Sequence, residues 1–209
     1  MRILIWIGIL AAAFSGCSQN QPVLIKLSEF GLKSGTGENA IPAIIKAVNE
    51  SKKYPCSILL FEKGRYDFRI DSTHTREYFE SNTTNDGPKH LAVLIEGCKG
   101  LTIDGGGADF IFHGPIQPIS VDNSENIVLK NINIDWEIPM TAQAKIVAST
   151  PVNIDLEIDT IQFPYEINNG KLIFKGENWT AEPNGFMEYV AGTHLIAAGT
   201  GDGGCIRGD

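Results

Sequence analysis

Apolar and polar positions alternate most regularly between Gly97 and Trp136. Gly100-Leu101-Thr102-Ile103-Asp104 runs into Gly105-Gly106-Gly107, and Asn126-Ile127-Val128-Leu129-Lys130-Asn131 repeats the arrangement downstream. Each segment places a small or amide residue before a short aliphatic run and closes on a turn former. Aligning Lys99-Gly100-Leu101 with Glu125-Asn126-Ile127 gives an offset of 26 residues. Period-two alternation marks half-buried strands, and recurrence at about 20–50 residues marks stacked coils rather than a closed globule. The expected fold class is all-β: a right-handed parallel β-helix in which each coil adds strands to a stack.

Upstream, Ile41, Ile44, Ile45 and Val48 recur at helical spacing and predict a helix over Ala40–Lys52. Asn39 is placed to cap it and Pro42 is tolerated in its first turn. Strands are predicted at Ser57–Phe61 and Arg65–Ile70, joined by a Lys63-Gly64 turn. An exposed end of a coil stack needs apolar cover, and this helix supplies it as an N-terminal cap. Asp71–Lys89 reads as a long polar loop, a common location for function. Further strands follow at Leu91–Glu96, Leu101–Asp104, Phe110–Phe112, Ile116–Val121 and Ile127–Asp135.

From Met140 the pattern changes. Ala142–Val147, Val152–Ile158, Tyr165–Ile167 and Leu172–Phe174 alternate, with Asn168-Asn169-Gly170 as a hairpin turn. Antiparallel hairpins do not belong in parallel coils, so residues 141–189 are expected to form an inserted, antiparallel, barrel-like module. The predicted organisation is a leader over 1–17, the cap and first coils over 18–140, the insertion over 141–189, and a return to the coils over 190–209. The Gly-rich end, Gly199 to Gly204, offers no apolar cover, so the coil stack is expected to continue past Asp209.

Composition changes this picture in three places. Arg2, the apolar run Ile3–Phe14 and Ser15-Gly16-Cys17 read as a leader ending in a lipoprotein cleavage box. Cleavage there would leave Cys17 as the lipidated residue, with the chain exported and held at the bacterial envelope, in the periplasm or on the outer membrane. The formal net charge of −8 lacks the clustered Lys and Arg that nucleic acid requires. The expected membrane contact is therefore the lipid at Cys17 alone. Cys56, Cys98 and Cys205 match no zinc spacing. They are expected as buried single thiols, with a Cys56–Cys98 disulfide as the alternative, and no metal or cofactor is expected.

Candidate chemistry centres on Ile134-Asp135-Trp136-Glu137. Alternation turns Ile132 and Ile134 inward and Asn131, Asn133 and Asp135 outward. An indole can stack on the C–H face of a sugar, and carboxylates accept its hydroxyls. Asp135, Trp136 and Glu137 are thus the substrate-binding candidates, weighed against packing of Trp136 on the insertion with both acids solvated. His74 and His113 read first as structural. Asp104-Gly105-Gly106-Gly107 lacks the Lys-Ser/Thr of a phosphate loop and reads as a turn.

The run Tyr78-Phe79-Glu80-Ser81-Asn82-Thr83-Thr84, with Leu101-Thr102-Ile103-Asp104-Gly105-Gly106-Gly107, Phe112-His113, Asp122-Asn123-Ser124-Glu125-Asn126-Ile127 and Ile134-Asp135-Trp136, resembles the glycoside hydrolase family 110 α-1,3-galactosidases. The likeness extends from about Phe30 to Glu188. It implies a β-helix with β-barrel insertions and inverting removal of terminal α-1,3-linked galactose from glycans. Its partners would be galactose-terminated oligosaccharides. The family's proteins are several hundred residues long and their catalytic aspartates lie in later coils, so no catalytic residue is assigned within this chain and the pair is expected beyond Asp209. The rival reading is a surface module that binds glycans without cleaving them, or an inactive remnant.

Overall fold

The computed structural model describes residues 21–78, 87–183, 185–193 and 195–198. The expected leader with Cys17, the Glu80–Thr84 stretch and the Gly-rich segment 199–209 lie outside the described residues. A short strand β1 (Val23–Lys26) and one 3₁₀ turn (Leu27–Phe30) precede the helix α1 (Ile41–Ser51). Then come β2 (Ser57–Leu60), β3 (Arg65–Arg69), β4 (Thr75–Glu77), β5 (Pro88–Glu96), β6 (Leu101–His113), β7 (Ile116–Asp122) and β8 (Val128–Trp136). The chain is mostly β, and α1 is its one α-helix among the described residues.

Helix α1 starts one residue later than the periodicity predicts, and Ala40 occupies its N-cap. Asn39 is drawn off by β3. Its Nδ2 donates to the Arg69 carbonyl at 3.0 Å and its Oδ1 accepts the Arg69 N–H at 3.0 Å, leaving only a long 3.3 Å bond from the Ile41 N–H. A two-point match to an edge backbone outweighs a single cap bond. The helix buries Ile41, Ile44, Ala47 and Val48 against β2 and β5, each such aliphatic side chain worth about 1.5–3 kcal/mol over exposure.

The 26-residue offset is a real register. β5 and β7 pair in parallel from His90 with Ile116 to Glu96 with Asp122. The first half of β6 pairs with β8 at the same offset, Thr102 with Val128 through Asp104 with Lys130. The turns between them repeat in conformation as well: Gly97 and Gly100 have φ of 66° and 59°, and Asn123 and Asn126 have 44° and 55°. Asn is among the few side chains that accept this left-handed region. Ser124 ties the two turns together, its Oγ accepting the Cys98 N–H at 3.0 Å and donating to the Asp122 carbonyl at 2.8 Å.

The glycine run is not a turn between strands but an irregularity inside β6. Between Asp104 and Ala108 the register against β8 shifts, and thereafter Ala108 pairs with Ile132 and Phe112 with Trp136. Gly105 is required by close approach, since a Cβ there would lie 2.4 Å from the Asn131 carbonyl oxygen. On its other side β6 pairs in parallel with β2 and then β3, Arg65 opposite Asp109 and Arg69 opposite His113. The loop expected over Asp71–Lys89 also contains β4, antiparallel to the start of β5.

The core is an aromatic and aliphatic column. Phe68 and Phe112 stack with centroids 4.8 Å apart, Phe68 and Phe110 lie 4.9 Å apart, and Phe61 and Phe110 4.7 Å apart. All four rings are buried.

Beyond Met140 the strands are antiparallel, as the pattern predicts. β9 (Lys145–Ser149) pairs with β10 (Ile154–Glu157), and β11 (Tyr165–Asn168) with β12 (Lys171–Gly176), which pairs with β13 (Trp179–Ala181). Asn169 and Gly170 take φ of 51° and 79°, the mirror-image turn that an Asn-Gly pair favours. The two sheets remain separate, so no closed barrel forms among the described residues. The thiol expectation needs correction: Cys98 is free and buried, but Cys56 is disulfide-bonded, and the Cys56–Cys98 pairing is excluded.

Candidate functional site

Three strands, β3, β6 and β8, run side by side in parallel, about 4.8 Å apart. Register places Arg65, Asp109 and Asn133 in one row across them, and Asp67, Ile111 and Asp135 in the next. Because side chains alternate along a strand, these rows share the outer face while Tyr66, Phe68, Phe110 and Phe112 fill the inner one. A cleft of about 330 Å³ opens on that outer face, lined by Arg65, Asp109, Ile111, Asn133, Ile134 and Asp135.

Its polar groups are fixed. The Asn133 amide donates to Asp109 Oδ1 at 2.9 Å. Asp135 Oδ1 accepts the Trp136 N–H at 2.8 Å. Arg65 is held at two ends: its Nη2 and Nε reach Asp67 Oδ1 at 2.6 and 3.1 Å, and Nη2 also reaches Glu137 Oε2 at 2.7 Å. Hydrogen bonds from Arg65 to Asp67 and Glu137 raise the guanidinium pKa further above its already high value.

Behind the cleft lies a buried charged network. Asp67 and His113 are each almost wholly covered, at 3% and 5% exposure. His113 Nε2–H donates to Asp67 Oδ1 at 2.8 Å. His113 Nδ1 lies 2.9 and 3.0 Å from the two Glu177 carboxylate oxygens and 3.1 Å from Arg69 Nη1, so its role follows the tautomer. Glu177 sits between β12 and β13, so this histidine joins the parallel sheet to the antiparallel module. Gly114 permits the approach: a Cβ there would lie 2.5 Å from the Glu177 carbonyl oxygen. Burial pushes the Asp67 carboxyl upward, but the bonds from Arg65 and His113 outweigh it and hold its pKa below the ordinary carboxylate value.

The three residues singled out by sequence do not act from one place. Asp135 lines the cleft, and Glu137 buttresses Arg65 at its rim. Trp136 turns to the opposite side, its ring 5.5 Å from Phe112 and its Nε1–H donating to the Gly114 carbonyl at 3.2 Å. It packs on the sheet's own core rather than on the insertion. His113 is buried and held between Asp67 and Glu177, which accords with a structural role. His74 is half-buried, its Nε2 enclosed without a hydrogen-bond partner, and burial lowers its pKa below 6.5. Sequence reasoning missed Arg65, Asp67, Asp109 and Glu177. The alternation of Arg65-Tyr66-Asp67-Phe68-Arg69 marks the first two as outward, but nothing local reveals which strands lie beside them. Among the described residues, no three His, Cys, Asp or Glu gather closely enough to hold a metal ion.

Comparison with known proteins adds what geometry does not. Residues 142–207 match the family model described as GLAA-B beta-barrel domain I. The chain is 46% identical over 179 residues to Alpha-1,3-galactosidase B of Bacteroides thetaiotaomicron, an alignment covering 86% of this chain and 29% of that protein. It is 36% identical over 206 residues to an Alpha-1,3-galactosidase B of Phocaeicola vulgatus, covering 96% of this chain and 33% of that protein. To Alpha-1,3-galactosidase A of Shewanella woodyi it is 37% identical over 169 residues, covering 78% and 28%. The chain thus spans about three tenths of the length of the curated relatives it matches. Those relatives agree with the resemblance read from the sequence: over most of its own length this chain is similar to the N-terminal part of proteins named α-1,3-galactosidase.

Proposed function

We propose that the chain forms part of an exo-acting α-1,3-galactosidase, a glycoside hydrolase that removes terminal α-1,3-linked galactose with inversion. The observation that carries this reading is the 46% identity to a protein of that name across 86% of the chain. Inversion needs two carboxyl groups about 6.5–9.5 Å apart, one as acid and one activating water. The reading assigns that pair to residues beyond Asp209, and the sheet of β3, β6 and β8 to scaffold and substrate contact.

The parallel pairing of β5 with β7, and of the first half of β6 with β8, at one offset of 26 residues supports a β-helix as the architecture of the coil region. In that arrangement β7 and β8 are the edge on which a further coil stacks, and Val121, Val128, Leu129 and Ile134, exposed on these strands, would be covered by it. The leader pattern before Cys17 supports, in this reading, export and a lipid anchor at the envelope.

The test is galactose release from a linear α-1,3-digalactoside by the gene product that contains these residues. Release supports the proposal. A folded product that neither binds nor cleaves the digalactoside sinks it, and binding without release turns the reading to a glycan-binding module.

A further inference from the structure

We propose that the cleft between Arg65, Asp109, Ile111, Asn133 and Asp135 is a subsite for one neutral hexopyranosyl unit, a galactosyl unit on the galactosidase reading on which its identity rests. Its volume falls at the lower end of the range of about 300–1,000 Å³ found for small-ligand clefts, which suits a mono- or disaccharide.

The ligand class follows from charge and chemistry. Asp109, Asp135 and Glu137 stand at the rim against the single guanidinium of Arg65, whose charge is already matched by Asp67 and Glu137. Phosphates, sulfates and uronates are therefore repelled, and a neutral polyol is not. Asp109 and Asp135 each commit Oδ1 to a neighbour within the sheet and keep Oδ2 to accept a hydroxyl. Arg65 commits Nε and Nη2 and keeps Nη1 to donate. Ile111, in register between Asp67 and Asp135, offers an apolar patch to the C–H face of the ring.

Preorganisation distinguishes this cleft from an ordinary polar surface. Asp109 orients the Asn133 amide, the backbone orients Asp135, and the buried pair of Asp67 and His113 holds Arg65. None of these groups needs to reorganise as the sugar arrives, so little binding energy is lost to ordering. Asp67 and His113 are positioning residues and do not touch the ligand.

The experiment is calorimetric titration of the full chain at pH 7 with α-1,3-galactobiose, and with maltose as the glucosyl comparison. Asp135→Asn and Asn133→Ala replace exposed side chains, and circular dichroism verifies that both variants fold. Each should weaken galactobiose at least about tenfold, the equivalent of one lost polar contact, while the remote Lys171→Ala leaves it unchanged. If maltose binds through these same residues and galactobiose does not, the subsite stands and the galactosidase reading falls. If the folded chain binds neither sugar, or binds one indifferently to both substitutions, the subsite is overturned. The galactosidase reading, which rests on the relatives and is tested by galactose release from the whole gene product, would survive that result.

Discussion

Replacing Asp67 with asparagine isolates the charge at the centre of the buried network. Asp67 Oδ1 accepts from Arg65 Nη2 at 2.6 Å, Arg65 Nε at 3.1 Å and His113 Nε2 at 2.8 Å. Asparagine keeps one oxygen of the same shape but removes the charge, and it turns a donor toward Arg65 where Oδ2 accepted at 3.3 Å. Bonds to a charged partner contribute about 1.5–3 kcal/mol each and neutral ones about 0.5–1.5. The Arg65 side chain is 44% exposed, so its share is discounted for solvent screening, whereas the His113 bond is buried. The expected loss is about 2–3 kcal/mol, read as a lower urea midpoint at pH 7 with unchanged slope. The pH dependence gives an independent check. Because folding lowers the Asp67 pKa, the carboxylate stabilises above the unfolded value of 3.8, and that stability is lost as pH falls through the folded value. The gap between wild type and variant should be full at pH 7 and should close below pH 3.8. A gap under about 0.5 kcal/mol at neutral pH, or one that persists unchanged into acid, would refute the account of Asp67 as a buried ionised hub.

Two other perturbations test the packing and the titration. Gly105→Ala would place a Cβ 2.4 Å from the Asn131 carbonyl and 2.7 Å from Ile132 Cγ1; forcing β6 from β8 should cost about 1–3 kcal/mol, seen as a lower thermal midpoint, and an unchanged midpoint contradicts the close approach. For His74, burial lowers the folded pKa below 6.5, so the unfolded chain takes up the proton first. Stability should therefore decline as pH drops below 6.5 toward the folded value, and His74→Gln should flatten that part of a urea-midpoint profile.

What the chain determines by itself is local, and it is considerable. The alternation at Leu101–Asp104 and Asn126–Lys130, the helix periodicity from Ile41 to Val48 and the Asn169-Gly170 turn are each decided by neighbours in sequence. A strand's side-chain period and a turn's φ need no distant partner. The 26-residue recurrence even carries the register of the first pairing, because Gly97 and Gly100, and Asn123 and Asn126, occupy equivalent left-handed positions. The family likeness is equally legible. The site is not. Alternation with Ile132 and Ile134 turns Trp136 inward, but that Phe112 is the ring it meets follows only from the pairing of β8 with β6 beyond the register shift at Gly105–Gly107. Arg65, Asp67, Asp109, His113 and Glu177 lie on separate segments and become neighbours only when β3, β6 and the β12–β13 turn close over one another. Asn39 leaves its helix for Arg69 for the same reason. A charged or amide group takes the partner that desolvation and geometry favour, and which partners are within reach is a property of the folded chain alone.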